Sequence, residues 1–145
     1  MTIHIDGEKA LSLLEECVRE RGEDYVYPKA EMNGDCVYVF GTDMVPVDVD
    51  EYGDDLFAEQ AVGELTPGCM VGLALAKAGV PLGAFLALEI NREEPASSAI
   101  PYLREAGYLT ATGAAIDVFL AAQQAQDAQK SWGEALGEAT PLAEG

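Results

Sequence analysis

Ala10, Leu11, Leu14, Cys17 and Val18 recur at helical spacing and form one apolar stripe. The stripe predicts a helix from about Gly7 to Arg21, with Asp6 as its N-cap and Gly22 ending it in a left-handed conformation. Two β-prone runs follow, Tyr25-Val26-Tyr27 and Cys36-Val37-Tyr38-Val39-Phe40, and Asn33-Gly34 between them is a strong turn signal. They predict a small antiparallel hairpin with a long connection. The next segment, Gly41 to Gly63, is punctuated by Pro46 and Gly53. Val45, Val47 and Val49 alternate there, which suits a short strand. Leu56, Phe57 and Val62 suit a turn or two of helix over Asp54 to Val62.

The second half reads as helices. Thr66 is a natural N-cap and Pro67 a natural first residue for a helix through Met70, Leu73, Ala74 and Lys77, stopping at Gly79-Val80. Pro81 opens a short helix through Phe85 and Leu88. Ser98 caps the next, with Ile100 and Leu103 inward and Gly107 at its end. The longest runs from about Gly113 to Lys130 behind Thr112. Its inward face is Ile116, Phe119, Leu120 and Gln123, and its glutamine-rich end is expected to be more exposed. Ser131-Trp132-Gly133-Glu134 reads as a capping box for a final short helix, with Trp132 folding back as a core lid. The fold class predicted is α+β: a compact bundle of five to six helices with one small antiparallel β-hairpin. Residues 1–137 form the single domain, containing the segment 41–63, and 138–145 form a frayed tail.

Composition agrees with one modest core. The chain has 145 residues and is 49% hydrophobic but only 8% aromatic, and much of its apolar content is alanine and glycine. A chain of this size buries roughly 70% of its extended surface, so no staple is needed. Cys17, Cys36 and Cys69 are odd in number and lack CxxC spacing, which fits reduced thiols in the cytoplasm. The N-terminus shows no basic region and no cleavable apolar run, so no signal peptide is expected. Met70 to Leu88 is long and apolar, but Lys77, Gly79 and Pro81 interrupt it, and a buried helix pair is the expected reading.

Charge changes the picture most. Formal net charge is -18, and between Lys29 and Lys77 lie ten acidic residues and no Lys or Arg. Such a field repels nucleic acid and anionic membrane and attracts cations and basic protein surfaces. Within it, Asp48 to Glu59 resembles an EF-hand calcium loop, with oxygen ligands at positions 1 and 3, glycine at 6 and glutamate at 12. Tyr52 at position 5, Asp55 at position 8 and the missing entering helix depart from that pattern, and a solvated acidic loop is the plainer reading. His4 with the three cysteines lacks the paired spacing of a zinc site. No GxSxG, HExxH or P-loop occurs. Leu73 to Leu88 has helix-turn-helix spacing, but its second helix offers no Arg, Lys, Asn or Gln to meet bases.

Glu23-Asp24-Tyr25-Val26-Tyr27, Cys36-Val37-Tyr38-Val39, Pro67-Gly68-Cys69-Met70-Val71-Gly72, Gly79-Val80-Pro81, Gln126-Asp127 and Ser131-Trp132-Gly133-Glu134-Ala135-Leu136 form a series. It resembles a group of small uncharacterised proteins from actinobacteria and their phages. The resemblance implies a viral or bacterial cytosolic origin, and the segment 41–63 is an insertion relative to that group. No active site transfers with it.

The function expected is non-enzymatic protein binding by a phage-type accessory protein that binds or inhibits a basic host protein. Nucleic-acid mimicry is one form of that function. The contact residues expected are Asp48, Asp50, Glu51, Asp54, Asp55 and Glu59, with Tyr52 and Phe57 as apolar contacts. No cofactor, metal, membrane or direct nucleic-acid partner is expected. A cation-binding module using residues 48–59 is the alternative, and a purely structural protein is the other.

Overall fold

The computed structural model describes residues 3–28, 37–92 and 94–143. The fold is α+β, and the described residues form six helices and two separate two-stranded sheets. The first strand, β1 (Ile3–Ile5), pairs in parallel with β4 (Leu109–Ala111), and His4 Nδ1 lies 2.8 Å from Thr110 Oγ1 across that pair. Three-residue strands carry too little alternation to be read in advance.

The first helix, α1 (Gly7–Arg21), forms as its stripe predicts. The Asp6 carboxylate accepts from the Lys9 N–H at 2.8 Å, and Gly22 (φ 98°) donates back to the Val18 carbonyl. It packs against α2 (Met70–Ala78) and α5 (Gly113–Asp127), with α6 (Trp132–Ala139) beside it. Lys77 on α2 donates to Glu20 on α1 at 2.8 Å and clasps the two helices at the surface. Two short helices, α3 (Ala84–Ala87) and α4 (Ala96–Glu105), complete the body. Ile5, Leu13, Leu14, Met70, Leu75, Phe85, Ile100, Phe119 and Trp132 are among the fully buried side chains of one continuous core.

Several boundaries differ from expectation for identifiable reasons. Thr66-Pro67 ends a strand, and Cys69 is the N-cap of α2, its Sγ accepting from the Gly72 N–H. Pro95, not Ser98, precedes α4. The glutamine-rich end of α5 is buried at Gln123 and Gln126, while Gln124 is exposed as expected. Gln123 accepts from the Ala96 N–H and donates to the Tyr38 hydroxyl, and Gln126 accepts from the Met70 N–H. These amides satisfy helix starts that would otherwise leave buried donors unpaired. Of the expected frayed tail, Glu138 and Ala139 finish α6 and Thr140–Ala143 form a 3-10 turn packed under α1 so closely that a Cβ on Gly7 would meet the Ala143 carbonyl oxygen, while residues 144–145 lie outside the described residues. The Gly79-Val80 stop and the Ser131 cap form as expected.

The hairpin exists, but not where the β-prone runs put it. The predicted turn at Asn33-Gly34 and Cys36 lie outside the described residues. Tyr25, Val26 and Tyr27 form no strand. That run still meets Val37, through a side chain: the Tyr27 hydroxyl accepts from the Val37 N–H at 3.0 Å. The antiparallel hairpin is formed by β2 (Val39–Val49) and β3 (Asp55–Pro67), the acidic segment itself. The expected helical turns over 54–62 are therefore strand. Alternation in β2 supplies a pairing edge, and pairing overrides weak helical spacing.

Candidate protein-interaction site

The tip of the hairpin is built by Asp50. Its backbone N–H donates to the Asp54 carbonyl, and Gly53 (φ 84°) donates to the Asp50 carbonyl. The Asp50 carboxylate accepts from the N–H groups of Tyr52 and Asp54 at 2.8 and 3.0 Å. This is a three-residue hairpin loop closed by a glycine in the left-handed region. One carboxylate of the acidic run thus has a structural duty, and Asp48 likewise accepts from the N–H of the following Val49.

Pairing sets the faces. Thr42 with Ala61, Met44 with Glu59 and Pro46 with Phe57 share one face. Asp43 with Gln60 and Val45 with Ala58 share the other. A bulge between Pro46 and Asp48 then shifts the register, so Asp48 pairs with Leu56 and Val49 with Asp55. Neither face is buried beyond the base. Of ten exposed large hydrophobic side chains among the described residues, seven lie on this arm: Met44, Val47, Val49, Tyr52 (82% exposed), Leu56, Phe57 (54%) and Val62. The same 39–67 stretch carries eight carboxylates and no Lys or Arg.

The base is mounted firmly. Asn91, 1% exposed, accepts from the Val39 N–H and donates to the Val39 carbonyl, so its side chain stands in for a neighbouring strand. It also donates to Glu59 Oε2 at 2.8 Å. The same oxygen accepts from Arg92 Nε at 2.9 Å and from the Thr42 hydroxyl at 2.6 Å.

The expected contact residues therefore divide. Asp48, Asp50, Glu51, Tyr52, Asp54, Asp55 and Phe57 gather on the outer half of the arm. Glu59 does not join them: it lies at the base, opposite Met44, and serves as the mount. This also removes the calcium-loop geometry. Asp48 pairs with Leu56, while Glu59 of β3 pairs with Met44, four residues further down β2 and about 13 Å away at strand spacing. Among the described residues, no three His, Cys, Asp or Glu side chains are grouped to hold a metal ion. Cys17 is buried against the Met70 carbonyl, and burial pushes its thiol pKa up to about 12. No helix among them is long and apolar enough to cross a membrane.

Sequence reasoning missed Met44, Val47 and Leu56 as exposed apolar positions, and Asn91 and Arg92 as the mount. The valine alternation at 45, 47 and 49, carried across Tyr52-Gly53, was the available signal for the first three. Nothing local marks the last two. No protein-family model, curated protein or solved structure matches this chain.

Proposed function

We propose that this chain is a non-enzymatic protein-binding module whose acidic hairpin arm engages a basic surface on another protein. One observation carries the reading: seven of ten exposed large apolar side chains sit on the arm that also carries eight carboxylates and no base. A two-stranded hairpin exposed on both faces is marginal in water. Interleaved apolar groups give such an arm contact area, and the carboxylates speed encounter and select for positive charge. As an accessory protein of phage type, it would bind a host protein in the cytoplasm.

The interleaving also favours direct protein recognition over nucleic-acid mimicry. A phosphate mimic calls for rows of charge, whereas Val47, Val49, Tyr52, Leu56 and Phe57 separate these carboxylates. The test replaces Asp48, Asp54 and Asp55 with lysine and compares captured proteins from host lysate at low and high salt. The unaltered chain should retain basic proteins that salt releases and the variant loses. If the variant retains every partner, the arm is not the contact element.

A further inference from the structure

Beside the arm lies a groove of about 410 Å³. One wall is Phe57, Ala58, Glu59 and Gln60 of β3; the other includes Leu86 and Ala87 of α3. Consecutive residues of a strand point to opposite faces. A space that touches four in a row, with Met44 of β2 beside Phe57 and Glu59, therefore spans their shared face and reaches the strand's outer edge at Ala58 and Gln60. Among the described residues that edge has no third strand, and every second residue turns its N–H and C=O outward. Residues 55–60 pair with β2 in steady register from Phe57 inward to Gln60, and this length matches a typical strand. The opposite edge is poorer: Pro46 has no N–H and Val47 is bulged out of register.

We infer that the groove between β3 and α3 receives an extended basic segment of a partner protein, which adds as a third strand along residues 55–60. Strand addition beside a helix lets the main chain supply affinity and alternate side chains supply specificity. The face shared by Asp55 and Phe57 dictates the pattern: a Lys or Arg opposite Asp55 and a large apolar residue two positions along, against Phe57, Met44 and Leu86. Charge decides the occupant. A second copy would bring another arm of eight carboxylates and no base against the first, whereas a basic strand is attracted.

This deepens the reading of the arm as the contact element, and the two fail separately. The probe is a short synthetic peptide alternating lysine with valine, titrated into the full chain by calorimetry. Two further versions are N-methylated on every second residue, in one phase or the other. The plain peptide should bind, weaken about tenfold between 0.05 and 0.5 M salt, and protect amides within 55–60 from exchange. Methylation in one phase should weaken binding about tenfold or more, while the other phase leaves it nearly unchanged. Equal binding of both methylated peptides, no binding at millimolar peptide, or protection along residues 43–49 instead would overturn strand addition. So would a concentration-dependent dimer of the protein alone with residues 55–60 already protected, which identifies a second copy as the occupant. If the lysine variants lose their captured partners while both methylated peptides bind equally, the arm stands as the contact element and the groove does not.

Discussion

Removing Glu59 should loosen the arm from the body at a measurable cost. Its side chain is only 14% exposed, and one oxygen accepts from Arg92, Asn91 and Thr42 at 2.9, 2.8 and 2.6 Å. Hydrogen bonds to a charged group contribute about 1.5–3 kcal/mol each when well buried. The three share one acceptor, Arg92 is partly exposed, and Asn91 keeps its bond to the Val39 carbonyl, so they do not add in full. Glu59→Ala should therefore destabilise by about 2–3 kcal/mol. At roughly 2–4 °C per kcal/mol for a chain of this length, the midpoint falls by about 4–12 °C. Glu59→Gln keeps an acceptor but loses the charge, and should cost about 1 kcal/mol. Thermal melting followed by circular dichroism measures both, and amide exchange at Val39 and Phe40 should accelerate in the alanine variant. If Glu59→Ala melts within about 1 °C of the unaltered chain, the mount is not held by this cluster.

Other consequences follow from the core. Cys17 should resist iodoacetamide at pH 8 in the native state and react once the chain is unfolded, because burial raises its thiol pKa to about 12. A thiol whose folded pKa is raised contributes stability that is present at neutral pH. That stability is lost as pH rises from the ordinary thiol range toward 12, so Cys17→Ala should flatten alkaline unfolding in that window. Gly72→Ala would place a Cβ 2.1 Å from the Tyr38 carbonyl oxygen, against backbone rather than a movable side chain. It should destabilise by about 2 kcal/mol or more in chemical denaturation, where an exposed Gly137→Ala should be neutral or better.

How much of this was legible in the sequence depended on where the relevant contact lay. Caps and stops were readable because Asp6, Gly22, Gly79 and Ser131 act within one turn of their own positions. The hairpin was misplaced because Tyr27, Val37, Tyr38 and Val39 are all buried. Full burial erases the alternation that separates a strand from an extended core segment. Strand pairing of 39–49 with 55–67 brings together residues whose local spacing at 54–62 suggested helix. Spacing places Gln123 inward, but it suggests an exposed end at Gln126, and nothing near either residue reveals that α2, α4 and Tyr38 need their amides. In the candidate site, charge and the residues at the tip were plain from the sequence. The separation of Glu59 from its acidic neighbours was not, because it depends on Asn91 and Arg92 more than thirty positions away.

The central claim is that recognition resides in the outer arm and stability in the body. Val45 and Ala58 are paired, so residues 46–57 can be replaced by a two-residue Asn-Gly turn while Thr42, Met44 and Glu59 stay in place. Capture from host lysate, with the melting curve measured on the same variant, tests the claim most directly. The account predicts a shortened chain that melts cooperatively near the original temperature and no longer retains the salt-sensitive basic proteins. A shortened chain that melts the same way and still captures them would contradict it.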